Sequence, residues 1–437
     1  MKNVTISSSP SLFQGELSFP GDKSLSHRAI IFGSLARGVS EFTNVLEGED
    51  CVCTRKAFES MGVEIRSSGS GELTIVGKGL HALRPPASEL YLGNSGTSMR
   101  LLLGLLAGQS FPATLTGDPS LSSRPMKRVT DPLRAMGAHI EGASDANFAP
   151  LKISGASLRG GSFSLSVASA QVKSALLLAG LYAKGQTRVT EPELSRDHTE
   201  RFLSYFGVGL KREGLTVSIE PEPVLEARSF RIAGDISSAA FFMAIAALFP
   251  SSKLSFKSVL WNPTRIGFVK VLERMGVEVQ INRHYDEGPE PVVDFTLKRS
   301  ARLKAFVIEK KELPSLIDEI PILTVLATQA EGTSVIREAS ELRVKETDRI
   351  ESMSTGLSRM GARIASQGDT VTIQGETALT GATISSYKDH RTAMSHIVAG
   401  LIAVGPTRVE DVECIATSFP NFFDLLTRIG GRYQLTP

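Results

Sequence analysis

Cysteine is scarce: Cys51, Cys53 and Cys414 are the three in 437 residues. Three thiols cannot build a disulfide framework, and such usage fits a reducing compartment. Cys51 and Cys53 stand too close together for a C-x-x-C motif. Tryptophan occurs once, and Trp261 reads as packing rather than as a stacking platform. No sign of charge dominates. The formal net charge of +2 argues against a bulk nucleic-acid or membrane-surface binder, so any basic site must be local and shaped. No apolar run approaches the length of a membrane span. The start, MKNVTISSSP, has no apolar core of the signal-peptide kind, so a cytoplasmic location is expected. No P-loop or G-x-G-x-x-G precedes a helix in a Rossmann context, and no metal-ligand spacing is visible. Hydrophobic content of 41% and charged content of 22% describe a soluble globular chain, long enough for two or more domains.

What the chain does have is a repeat. A helix-like run ends in a large apolar residue plus Gly, and an alternating strand follows. The copies are SMGVEI (60–65), AMGAHI (135–140), YFGVGL (205–210), RMGVEV (274–279), RMGARI (359–364) and RIGGRY (428–433). They lie about 70–85 residues apart, longer than solenoid repeats. Gly at that point suits a left-handed helix C-cap. Upstream of each copy, a small or polar cluster opens a helix that is apolar nearly all round and should be buried. Examples are SGTSMRLLLGLLAG (95–108) and DHRTAMSHIVAGLIAVG (389–405). Each unit reads strand, helix, strand, helix, strand, strand. Gly21, Asp22 and Ser24 of the first unit match Gly234, Asp235 and Ser237 of the fourth, which suggests two domains of three units. The sixth unit stops at Pro437 without its final strand, and residues 3–9 offer a spare one. The expected domains are residues 13–230 and a discontinuous second domain of 1–12 and 231–437.

Informative polar residues cluster at helix starts. First helices open with Lys23, Ser24 and Arg28; with Asn94, Gly96, Thr97 and Arg100; with Ser169, Gln171 and Lys173; with Asp318; and with Asp389, His390 and Arg391. Second helices are expected near Arg124, Arg196, Lys345, Glu346, Arg349 and Ser418. Helix N-termini carry free N–H groups and a positive dipole end, so such ends facing across a cleft would attract anions. Ser, Thr and Asp at these places also serve simply as caps. KETDR (345–349) packs four charges into a turn and a half, with Lys345 and Arg349 expected on one helix face.

PGDKSLSHRA (20–29), GNSGTSMRLL (93–102), RPM (124–126), SAQVKSALL (169–177), ELRVKETDRI (341–350), DHRTAM (389–394) and SFP (418–420) stand in one order. Together they resemble the 5-enolpyruvylshikimate-3-phosphate synthases, an enolpyruvyl transferase family. The resemblance implies an α/β (α+β) fold, an inverse α/β barrel. Two similar globular domains each hold three βαβαββ units with buried parallel helices, two crossovers join them, and the active site lies in the cleft between them. It implies that Lys23, Ser24, Arg28, Ser169, Ala170, Gln171, Arg196, Asp318 and Lys345 hold shikimate 3-phosphate. Phosphoenolpyruvate would be held by Lys23, Asn94, Gly96, Thr97, Arg124, Gln171, Glu346, Arg349, His390 and Arg391. Asp318, Glu346 and Lys23 would be the catalytic residues, with no metal and no cofactor, in a monomer that binds neither nucleic acid nor membrane. GDKS (21–24), SAQVK (169–173), RDHTE (196–200) and NPTR (262–265) resemble the subgroup less sensitive to glyphosate, whereas Gly96 matches the sensitive form. The chain departs from many members in Ala170 for a Ser, Arg196 for a Tyr, Glu341 for an Asn and Thr417 for a Lys.

The reaction so implied joins an alcohol to the central carbon of an enol phosphate. The related UDP-N-acetylglucosamine enolpyruvyl transferases usually carry a Cys on a loop of the second unit, and TGDPSLSSRPM (116–126) has none. A non-catalytic anion-binding repeat protein is the other alternative. Two carboxylates among the anion-binding residues speak against it.

Overall fold

The computed structural model describes residues 2–7 and 12–437. Among these residues the strands form six four-stranded sheets, each with one parallel pair at an edge. The second unit shows the rule. Leu90–Tyr91 runs parallel to Ala113–Thr116, which is antiparallel to Phe148–Ser154, itself antiparallel to His139–Gly142. A parallel neighbour cannot be reached through a tight turn, so the helix Gly96–Ala107 makes the crossover. A second helix, Lys127–Ala135, leads to the closing hairpin.

The recurring apolar–Gly pair ends the second helix of every unit. Gly62, Gly137, Gly207, Gly276, Gly361 and Gly430 all have φ between 87° and 103°. In the first unit Gly62 N–H donates to Glu59 O at 3.0 Å and Val63 N–H to Phe58 O at 3.1 Å, the paired bonds of a Schellman motif. The residue before each Gly is buried, so the same two positions stop the helix and anchor it.

The chain divides into two compact units. One is Gly21–Ile232 with Asp286–Glu290, the N-terminal unit; the other is Met1–Pro20, Ala233–Tyr285 and Pro291–Pro437, the C-terminal unit. The first boundary falls between Pro20 and Gly21 for a reason of pairing. Gln14–Ser18 runs parallel to Lys253–Leu260 and serves as the leading strand of the fourth repeat. Phe230–Arg231 runs parallel to Arg37–Thr43 and serves the first repeat. Each of these leading strands is therefore supplied from a distant part of the sequence, and the second boundary falls after Ile232.

The sixth sheet has the order expected of it. Gln434–Thr436 is its third strand, and Asn3–Ile6 pairs antiparallel with both that strand and Thr407–Glu410. Residues 8 and 9 of the proposed strand lie outside the described residues. Val4 and Ile6 join a buried cluster with Leu17, Phe256, Ile336 and Val409 and with the helices Ile236–Leu248, Ile320–Thr328 and His390–Ile402. A chain beginning at residue 7 loses both aliphatic side chains, worth about 3–6 kcal/mol of burial. We expect it to unfold at clearly lower denaturant concentration; an unchanged midpoint would show the strand to be dispensable.

Candidate active site

In the N-terminal unit the buried helices are capped by Asp22, Ser95 and Ser169. These accept from the backbone N–H of Leu25 at 3.0 Å, Ser98 at 3.1 Å and Val172 at 3.4 Å. Ser169 thus acts as a cap, and Ala170, which follows it, is the first helical residue. Lys23 opens its helix beside Ser24, and its ammonium is paired with the buried carboxylate of Asp50. Arg28 is one turn further in and 3% exposed. Its Nε donates to Thr199 Oγ1 at 2.8 Å, Nη1 to Ser24 O at 2.9 Å and Nη2 to Ser174 Oγ at 3.0 Å. Burial pulls its pKa down to about 10, against the opposing pull of Glu200, Asp22 and Glu290, so the guanidinium stays charged at neutral pH. Its neighbour His27 is held well below the usual value by burial and by the charges of Lys23 and Arg28, and remains neutral.

Gln171 ties two helix starts together. Its Oε1 accepts from Arg100 Nη1 at 2.7 Å and its Nε2 donates to Thr97 Oγ1 at 3.0 Å. Arg124 stands in the connection between the short helix Pro119–Ser122 and Lys127–Ala135, not on a helix. Its guanidinium donates to Asn94 O at 3.2 Å and to the Asn94 side chain, and Asn94 Nδ2 donates to Asp118 Oδ2 at 2.7 Å. A Cβ on Gly96 would lie 2.7 Å from Arg100 Nη1 and 3.3 Å from Arg124 Nη1, so glycine leaves both guanidinium groups where they are. Arg196 is also on a connection. The segment before it is fastened by Lys173, fully buried, whose Nζ lies 2.8 Å from Glu191 Oε2 and 2.7 Å from Glu200 Oε1. The Ser195 hydroxyl donates to Glu191 as well.

The C-terminal unit holds the other cluster, centred on Arg349. That side chain is 1% exposed and meets three carboxylates. Nε donates to Asp389 Oδ2 at 2.9 Å, Nη2 to Glu346 Oε2 at 2.6 Å and Nη1 to Asp318 Oδ1 at 3.4 Å. Burial opposes the charge, but Asp389, Glu346 and Asp318 together outweigh it and hold the pKa above the ordinary value. Arg391 Nη1 donates to Asp318 O at 3.1 Å, and its Nε lies 3.8 Å from Asp318 Oδ1. His390 is the first residue of the same helix and is buried; Asp389 caps it.

The helical spacing expected of KETDR is corrected here. Lys345 and Glu346 lie in a bend after the 3-10 turn Ser340–Val344, and the helix begins at Arg349 with Asp348 as its cap. Asp348 accepts from two backbone N–H groups at 3.0 Å, which ends the possibility of an earlier start. Thr417 donates to Cys414 O at 2.7 Å within its own turn.

The two clusters differ in what they offer. The N-terminal unit presents cations and neutral donors, suited to phosphate and carboxylate groups. The C-terminal unit presents carboxylates arranged by guanidinium groups, suited to proton transfer beside an anion. Asp389 is fully buried, whereas the side chains of Asp318 and Glu346 are 18% and 20% exposed, so of the three carboxylates these two reach solvent. Sequence reasoning missed Asp50, Glu319 and the anchoring role of Lys173. Asp50 carried no signal, being distant from Lys23 in the chain. Glu319 carried one, as an acid at the mouth of an apolar helix.

The profile of the EPSP synthase (3-phosphoshikimate 1-carboxyvinyltransferase) family matches residues 8–426. A 3-phosphoshikimate 1-carboxyvinyltransferase of Bacillus cereus (strain B4264) is 47% identical over 429 residues, covering 98% of this chain and 100% of that protein. One of Bacillus anthracis (strain A0248) is 46% identical with the same coverage. The solved structure of an EPSP synthase from Acinetobacter baumannii matches at a TM-score of 0.90 and 44% identity, with 100% of both chains covered. The chain belongs to the EPSP synthase family.

Proposed function

We infer that this enzyme transfers the enolpyruvyl group of phosphoenolpyruvate to the 5-hydroxyl of shikimate 3-phosphate and releases phosphate. One observation carries the reading. The family match runs through nearly the whole chain, and Asp318 and Glu346, the two carboxylates such chemistry needs, stand partly exposed on one buried arginine.

The steps follow from the chemistry. A proton adds to the methylene carbon of the enol phosphate and makes the central carbon electrophilic. The hydroxyl oxygen bonds to that carbon and loses its proton. The tetrahedral adduct then loses a methyl proton and its phosphate, with cleavage of the carbon–oxygen bond. Asp318 takes the hydroxyl proton, Glu346 serves the methylene carbon, and Lys23 stabilises the departing phosphate oxygen. Ser24, Arg28, Ser169, Ala170, Gln171, Arg196 and Lys345 complete the shikimate 3-phosphate contacts. Asn94, Gly96, Thr97, Arg124, Arg349, His390 and Arg391 complete those to phosphoenolpyruvate, with Gln171 serving both. The chain acts as a cytoplasmic monomer on small molecules. Among the described residues no helix is long and apolar enough to cross a membrane.

Turnover in heavy water tests the addition–elimination. Protonation from the solvent leaves deuterium in the enolpyruvyl methylene of the product. A methylene free of deuterium after many turnovers would mean that the carbon was never protonated, and the mechanism would be wrong.

Gly96→Ala is expected to weaken glyphosate more than phosphoenolpyruvate. The added methyl must displace Arg100 Nη1, only 2.7 Å away, and with it the guanidinium that donates to Gln171 Oε1 beside the same helix start. Glyphosate is the longer molecule and has less room to adjust. Competition kinetics check this; equal losses for both ligands would refute the crowding argument.

A further inference from the structure

The fourth repeat opens as the first does. Asp22 and Asp235 cap the corresponding helices, and Ser24 and Ser237 follow at the same offset. At the second of these helix starts the chain binds a carboxylate of its own. The Ser237 hydroxyl donates to Glu319 Oε1, and Arg265 Nη2 donates to Ser237 Oγ at 2.9 Å. Arg265 Nη2 also lies 3.7 Å from Asp235 Oδ1. Glu319 is 1% exposed, and its second oxygen, Oε2, has no hydrogen-bond partner. A buried carboxylate so placed needs a cation nearby. Arg391 supplies one, with Nη1 3.7 Å from Glu319 Oε1. The same Nη1 donates to the carbonyl of Asp318, the residue before Glu319.

We propose that Glu319 is a positioning residue for the reaction, an internal anion that fixes the Arg391 guanidinium and the peptide that carries Asp318. The proposal rests on the reading that Arg391 holds phosphoenolpyruvate. The network runs Arg265, Ser237, Glu319, Arg391. Its first three members are buried, and its last is the group that meets substrate. A neutral Gln at position 319 fills the same space and still accepts from Ser237. What the negative charge adds is therefore its hold on Arg391. Without it the guanidinium is fastened by the Asp318 carbonyl and the more distant Asp318 carboxylate alone, and it meets phosphoenolpyruvate in several orientations instead of one.

Steady-state kinetics of Glu319→Gln, Arg391→Lys and the double variant test this. Glu319→Gln should raise KM for phosphoenolpyruvate about two- to fivefold, the scale of an ion pair whose atoms stand 3.7 Å apart, and leave KM for shikimate 3-phosphate unchanged. The double variant should be little worse than Arg391→Lys alone, because both changes break one link. Ser237→Ala, which frees Glu319 while keeping every charge, should move the same KM in the same direction by less, and it reads the network even if Glu319→Gln does not fold. A fall in melting temperature with unaltered kinetics, an equal rise in both KM values, or full additivity in the double variant would overturn the proposal. If Arg391→Lys itself leaves KM for phosphoenolpyruvate unchanged, the underlying reading of Arg391 fails instead, and the proposal falls with it.

Discussion

Asp318→Asn and Glu346→Gln should each lower kcat by about 10²–10⁴-fold, the usual contribution of a positioned acid or base, with much smaller changes in KM. Both substitutions keep the shape of the side chain and an oxygen that can accept from Arg349, so the cluster can still assemble. What they remove is the capacity to take and return a proton. Asp389 provides the contrast. It meets the same guanidinium at 2.9 Å but is fully buried and caps the helix His390–Ile402, so its loss should show as instability rather than as a slow chemical step. Steady-state rates with both substrates saturating separate the cases. Near-native turnover in either variant would remove that carboxylate from the mechanism.

The second large effect is expected from Arg349→Met. The guanidinium is 1% exposed and is paired with Asp389, Glu346 and Asp318 at once. Removing the shared cation takes the ion pair from the buried Asp389 and loosens Glu346 and Asp318, at a cost of about 3–5 kcal/mol. The raised pKa of Arg349 has the same cause, since its three carboxylates outweigh the cost of its burial. We expect the midpoint of denaturant unfolding to fall well below that of the parent chain and activity to be lost. Arg349→Lys keeps the charge but cannot reach three carboxylates with one ammonium, and should lie between the two. A Met variant as stable as the parent would mean that the carboxylates hold themselves in place.

The contrast between these clusters explains what could be read in advance. The six apolar–Gly pairs were legible because each does two jobs in adjacent positions: one residue is buried and the next must adopt positive φ. The buried helices were legible because they are apolar on every face; in Ile236–Leu248 all residues up to Ala247 are buried. The exchange of leading strands was not, because Phe230–Arg231 is too short to show a period and Gln14–Ser18 precedes the repeat it would be assigned to. Charge spacing misled at KETDR. Asp348 looked like one more charge in a helical run, but its side chain is short enough to bond the backbone and start the helix there. Asp50 and Glu319 escaped notice because a buried carboxylate has meaning only through a partner brought close by folding, Lys23 for the first and Ser237 with Arg391 for the second. The sequence marks Arg28 as a helix-start cation but not its depth, because the hydroxyl groups of Thr199 and Ser174 that make its burial tolerable come from other elements.

The most direct test of the account is phosphate release by the purified full chain. With phosphoenolpyruvate and shikimate 3-phosphate together, phosphate should appear in step with a product that carries an enolpyruvyl ether on the 5-oxygen, and omission of either substrate should stop it. Phosphate release with UDP-N-acetylglucosamine as the acceptor but not with shikimate 3-phosphate, or none with either, would contradict the account.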